Sequence, residues 1–207
     1  MDPVELIKRD LSKDQVDGSF LADPIRELEA QCPFSNYRLF AFYGSTHQFD
    51  FPTLPKGSFC LYAANGRQAL RLTRKRKEIC TVLADEWNDL HHSDPVVLAS
   101  LVLKFYDSGI KQSHRVIRNV DELLNYGPNY ELNRQEFERS RKLIGATTSV
   151  ADDSVLKIRA ITLMGWMHQK QNLGFEDISI GRGGNVTIEA RSVLSGRIFK
   201  STPMIKY

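Results

Sequence analysis

The chain of 207 residues has only three cysteines, Cys32, Cys60 and Cys80, and no two of them stand at CxxC spacing. That count and spacing exclude a zinc ribbon, a thioredoxin-type pair and a disulfide-stapled scaffold. Three thiols cannot all pair internally, so buried or half-buried thiols in a reducing cytoplasm are expected. Long apolar runs are missing too. Met1 to Asp17 alternates acidic and basic residues around Val4, Leu6, Ile7 and Leu11, with no apolar stretch that could serve as a signal-peptide core. The longest nearly apolar stretch, Pro95 to Leu103, is interrupted by Ser100 and followed by Lys104. A spanning helix needs roughly 20 such residues, so no membrane span is expected. There is no internal repeat and no low-complexity tract, so the fold must be argued from periodicity.

With 42% hydrophobic and 26% charged residues, the chain can bury roughly 70% of its unfolded surface around one core or two small ones. Disorder and collagen-like structure are excluded. The formal net charge of +3 is too slight to declare a polyanion partner. Its distribution says more. The net charge is −4 over 1–50, +7 over 51–77, −5 over 78–131 and +5 over 132–207. The sharpest block is Arg67, Arg71, Arg74, Lys75, Arg76 and Lys77, in a stretch with no carboxylate between Phe51 and Lys77.

Tyr37 to Tyr43 reads as a strand, and Ser58–Ala63 and Arg67–Leu72 flank Asn65-Gly66, which predicts a hairpin with a type I′ turn. From Lys77 the spacing becomes helical, with Ile79, Leu83, Trp87 and Leu90 on one face. Ser93 as N-cap, Asp94 in the first turn and Pro95 at N1 predict a buried helix to about Asp107. A short helical turn in 120–130 precedes a Gly127-Pro128-Asn129 loop, and Asn133 caps a polar helix through Lys142. Asp152 or Asp153 is expected to cap a helix carrying Val155, Leu156, Ile158, Ile161, Leu163, Trp166 and Met167. After Gly174 the period falls to two, predicting a three-stranded meander. Its strands fall at Ile178–Ile180, Val186–Ala190 and near Ile198, with turns at 181–185 and Ser195-Gly196.

The fold class is therefore α+β: an antiparallel N-terminal hairpin or sheet and a C-terminal three-stranded antiparallel meander, packed on a helical middle. The expected divisions are an N-terminal helical arm over 1–36, a strand hairpin plus helices over 37–144, a linker over 145–153, and a helix plus meander over 154–207. The whole is compatible with one compact domain.

Chemistry is sparse. If Thr73 caps the helix after the hairpin, the cations of the basic block crowd the positive end of its dipole, which is unfavourable by roughly 0.3–1 kcal/mol for each cation relative to an anion there. Either the helix starts later or a bound anion compensates. The plainer alternative is a solvated corner neutralised by carboxylates of 78–131 or of the N-terminal arm. Phe40, Phe42, Tyr43, Phe59 and Tyr62 interleave nearby, but alternation puts Phe59 and Tyr62 on opposite faces. Part of this set must be core, and an RNP-like aromatic pattern is absent.

His91 and His92 lie between Asp89 and Asp94, but adjacent helical positions diverge by about 100° and do not face one ion. His47, His114 and His168 have no readable partner. Cys60 or Cys80 with His114, or a serine with His114 and Asp121, lacks a nucleophile-elbow sequence. Gly181-Arg182-Gly183-Gly184 lacks the ending of a phosphate loop and reads as a turn. Glu189-Ala190-Arg191 after Asp177 resembles the carboxylates of a metal-dependent nuclease, with Arg in the place of Lys. No residue is assigned to catalysis or to a metal, and no cofactor is expected. The functional expectation is a non-catalytic interaction or regulatory subunit that binds a macromolecular partner. A protein partner is expected, and the basic corner would take an anionic one, such as nucleic acid or another polyanion. The alternative is a small metal- or histidine-dependent hydrolase or nuclease with an unrecognised active site.

Overall fold

The computed structural model describes residues 1–13, 25–29, 32–44, 58–73, 75–105, 113–125, 131–165, 172–195 and 198–199. In chain order these form α1 (Pro3–Lys13), β1 (Arg26–Glu27), β2 (Arg38–Gly44), β3 (Ser58–Ala64), β4 (Ala69–Arg71), α2 (Arg76–Asp85), α3 (Trp87–Leu90), α4 (Pro95–Phe105) and β5 (Ser113–Ile117). A 3-10 helix (Val120–Asn125), α5 (Arg134–Leu143), β6 (Thr148–Ala151), β7 (Val155–Gly165), β8 (Asn172–Gly181) and β9 (Val186–Ser195) follow. An N-terminal sheet has the order β1-β2-β3-β4, and a C-terminal sheet has the order β5-β7-β8-β9 with β6 on β7. Every pairing is antiparallel. The molecule is α+β, with α2–α4 and α5 in the middle of the chain.

Alternation divides the N-terminal sheet into two buried faces. Leu39, Ala41, Leu61 and Ala63 face the main core, which also takes Ile79, Val82 and Leu83 of α2, Leu98 and Val102 of α4, and Leu156, Ile158, Ile178 and Ile180 of the other sheet. Phe40, Cys60, Tyr62 and Ala64 face the other way, onto Ile7 and Leu11 of α1. Val4, Ile7 and Leu11 form the single apolar stripe of that helix. Burying Ile7 and Leu11, 0% and 1% exposed, stabilises the docking by about 1.5–3 kcal/mol each.

The turn between β3 and β4 differs from the expected type I′. Ala64 pairs with Ala69, so the connection is four residues long. The Asn65 amide oxygen accepts from the Arg67 and Gln68 N–H groups at 2.9 and 3.0 Å. An asparagine side chain imitates a backbone turn in this way, and positive φ at Gly66 is not needed.

Two further expectations are corrected. Asp152 or Asp153 does not cap a helix: Asp152 accepts from the N–H groups of Ser154 and Val155 in a side-chain-stabilised turn, and Val155–Gly165 is β7, the first strand of the meander β7-β8-β9. The physical reason is that both faces of the strand are covered beyond Ala160, Ile161 and Leu163 joining a second core with Ile117, Leu123, Phe137 and Phe199. A strand buried on both faces has the all-round apolar look of a buried helix. Second, Ile198 is not a meander strand; it lies in that second core, and neighbouring Phe199 bridges to Leu132. Within residues 145–153 lies β6, and Thr147 is buried, its hydroxyl donating to the Ile117 carbonyl at 2.6 Å and accepting from the Ile161 N–H at 3.1 Å. The 127–129 loop and Ser195-Gly196 turn fall at least partly outside the described residues, as do Trp166 and Met167.

The 181–185 turn, expected from its glycines, sits on α2. Gly184 has φ +77°, and a Cβ there would lie 1.8 Å from the Cys80 carbonyl oxygen. Only glycine fits both the left-handed conformation and the close approach.

Candidate anion-binding corner

Thr73 does not cap α2. It is 3% exposed, and its hydroxyl accepts from the Leu61 N–H at 2.7 Å, joining β3 to the segment after β4. The chain makes one more turn, with the Lys75 N–H donating to the Leu72 carbonyl, and the helix begins at Arg76. Lys75 occupies the N-cap position, where its side chain cannot accept a hydrogen bond, and no side chain caps the first turn. Glu78 is the one acid in that turn. Lys75, Arg76 and Lys77 are consecutive and exposed. A later start removes part of the electrostatic conflict that a Thr73 cap implied. It leaves three cations at the uncapped positive end of a ten-residue helix.

The rest of the block is distributed differently. Arg71 is half-buried and has partners within the fold. It is the register partner of Tyr62, on the α1 side of the sheet. Arg67 is exposed in the β3–β4 turn, at the opposite end of β4 from Lys75. Next to it, the Met1 ammonium donates to the Gly66 carbonyl at 3.1 Å. Arg74 lies outside the described residues. The five described residues of the block thus fall at three places: the Lys75–Lys77 run, the Arg67 turn and the α1 face.

Several carboxylates of 78–131 and of the N-terminal arm are engaged elsewhere. Glu86, 1% exposed, marks the break between α2 and α3 and accepts from the Ser35 and Asn36 N–H groups at 2.8 and 2.7 Å. Asp85 accepts from the Tyr37 hydroxyl at 2.6 Å; burial, then Asp85, pushes that phenol up to about 12. Asp94 pairs with Arg118, Asp121 with Arg141, and Glu27 with Arg38. Among the described residues, the side chains of Arg67, Lys75 and Lys77 enter none of the ion pairs.

The Asp94 pairing also corrects the cap of α4. Ser93 donates its hydroxyl to the Pro33 carbonyl, and Asp94 is the residue that accepts from the Val96 N–H, at 2.8 Å. Burial pushes the Asp94 carboxyl up. Arg118 and the Val96 and Val97 N–H groups outweigh it and hold the group below its ordinary value.

His91 and His92 follow α3 rather than lying within it, so helical divergence does not apply. Their rings stand 3.9 Å apart, tilted by 49°, and both are exposed. No group of three or more His, Cys, Asp or Glu gathers at ion-holding distance among the described residues. Burial pushes the Cys32 and Cys80 thiols up, away from the thiolate a nucleophile requires. The register does bring Asp177 opposite Glu189, but Arg159, from the next strand, takes Asp177 at 2.9 Å. Phe40 and Tyr62, by contrast, are neighbours on one buried face.

No helix among the described residues is long and apolar enough to cross a membrane. The chain matches no protein-family model, no curated protein and no solved structure.

Proposed function

We propose that this protein is a non-catalytic interaction or regulatory subunit of the cytoplasm that docks a macromolecular partner, using the Lys75–Lys77 corner for an anionic surface of that partner. The observation that supports the reading is the run of three exposed cations at an uncapped helix start, of which Lys75 and Lys77 enter none of the ion pairs among the described residues. Local helix electrostatics opposes such a run, and a bound anion reverses the sign of that term. Nucleic acid and an acidic protein surface both supply the anion.

The test is affinity purification of the tagged protein from its native host, with and without nuclease, beside a variant carrying Lys75→Ala, Arg76→Ala and Lys77→Ala. The wild type is expected to retain a nucleic acid or an acidic protein that the variant loses. The nuclease arm tells the two apart. Identical material recovered with both proteins overturns the proposal.

A further inference from the structure

The α1-facing side of the N-terminal sheet has a composition that packing alone does not require. Glu27, Phe40, Tyr62 and Arg71 form one cross-strand row, and the Arg38 guanidinium, ion-paired with Glu27, stands 5.3 Å from the centre of the Phe40 ring. Two aromatic rings flanked by two guanidiniums on an open sheet make a surface on which bases stack and phosphates find cations. Here α1 covers it: Phe40 is 2% and Tyr62 0% exposed. The helix packs on β3 and β4, through an apolar cluster separate from the main core. It also brings a carboxylate, Asp10, which accepts from the Tyr62 hydroxyl at 3.2 Å. An anionic group therefore already sits at the polar edge of the aromatic row.

We propose that α1 is a displaceable cover over a single-stranded nucleic-acid platform built from Phe40 and Tyr62 with Arg38 and Arg71, and that Asp10 occupies the place of a backbone phosphate. In the covered state Ile7 and Leu11 fill the surface that bases would use. Displacing the helix takes the Asp10 carboxylate away from Tyr62 and exposes two rings. The inference does not rest on the Lys75–Lys77 corner, which belongs to α2 against the opposite face of the sheet.

The test uses the full chain with Ile7→Asp and Leu11→Asp, which undock α1, and a fluorescein-labelled oligothymidylate of about 15 nucleotides. Amide protection of β7 and β8 verifies that the rest stays folded. The undocked protein should bind roughly tenfold more tightly than the wild type, and Phe40→Leu with Tyr62→Leu should erase that gain, as expected for stacking. Alanines at Lys75, Arg76 and Lys77 should leave the gain in place. An undocked protein that binds no better than wild type overturns the proposal, as does one that self-associates without binding the oligonucleotide. A gain that disappears with the corner alanines and survives the leucines does so too. Should the undocked variant fail to fold, Asp10→Asn alone decides: affinity about threefold higher is expected, and unchanged affinity overturns the idea.

Discussion

The meander strands of the C-terminal sheet are 11, 10 and 10 residues long, whereas the N-terminal sheet is made of strands of 2, 7, 7 and 3 residues. The long strands support each other by continuous pairing of β7 with β8 over 155–164 and 172–181. In the N-terminal sheet only β2 and β3 pair at length, over 38–44 and 58–64; its outer strands are 2 and 3 residues long, and single side chains reach in from elsewhere: Thr73 to Leu61, Glu86 to Ser35 and Asn36 just before β2, Asp10 to Tyr62. The sheet that depends on such ties carries the basic corner and the covered aromatic row. Local opening therefore falls where the proposed binding surfaces are, and the C-terminal sheet serves as the fixed support.

This contrast can be broken most forcefully at the contact that joins the two regions. Gly184→Val would place a Cβ against the Cys80 carbonyl and force a β-branched residue to a φ of +77°. A loss of roughly 3–5 kcal/mol is expected in urea unfolding. A loss below about 1 kcal/mol would mean that the turn does not hold α2.

Next in size is Glu86→Ala, which leaves two N–H groups of the 35–36 segment without their acceptor. About 2–4 kcal/mol should be lost. Hydrogen exchange should accelerate at Ser35 and Asn36 and stay unchanged in β8; equal acceleration in both sheets would remove the distinction between them.

Asp94→Ala removes the α4 cap, at a cost of about 0.5–2 kcal/mol. Because the native carboxyl is held below its ordinary value, its contribution is complete above about pH 4 and fades as the pH falls through the lowered native value. Wild type and variant should therefore differ at neutral pH and converge in acid. The smallest effect belongs to the exposed Arg159–Asp177 pair: Arg159→Ala should change stability by no more than about 1 kcal/mol, less in high salt.

The chain up to α5 was legible where one residue decides one feature. Pro95 marks the start of α4 and Asn133 the cap of α5, and the β2, β3 and β4 strands lie where the aromatic and aliphatic runs place them. It was not legible where two polar residues compete for one role. Ser93 and Asp94 both suit a cap, and Thr73 looks like one. Which of them caps depends on whether Pro33 and Leu61 arrive from a distance to take the other hydroxyl. The β7 strand carried a usable signal in Leu156, Lys157, Ile158, Arg159 and Ala160, which alternate buried and exposed. The apolar run from Ile161 hid it, because α5 and the 3-10 helix cover the second face only there.

The candidate corner was legible as composition and not as placement. Arg71 falls on the α1 side of the sheet by strand alternation, and Arg67 stands at the far end of β4. The linear block kept both with Lys75, Arg76 and Lys77. Knowing the β4 register would have separated them. Nothing local announced that Asp85 and Glu86 are committed to other groups, since their partners lie 48 or more residues away in the chain, and the Arg118 partner of Asp94 lies 24 residues away.

The central claim is that Lys75, Arg76 and Lys77 meet a polyanion. Its most direct test is the salt dependence of binding to a mixed-sequence nucleic acid, plotted as log affinity against log salt concentration for the wild type and the triple-alanine variant. Each cation removed from a phosphate contact should flatten the slope by about 0.7–0.9, so the variant's line should be shallower by roughly 2–3 and its low-salt affinity lower for every sequence tried. Parallel lines of equal affinity, or no wild-type binding at low salt to either nucleic acid or an acidic polypeptide, would contradict it.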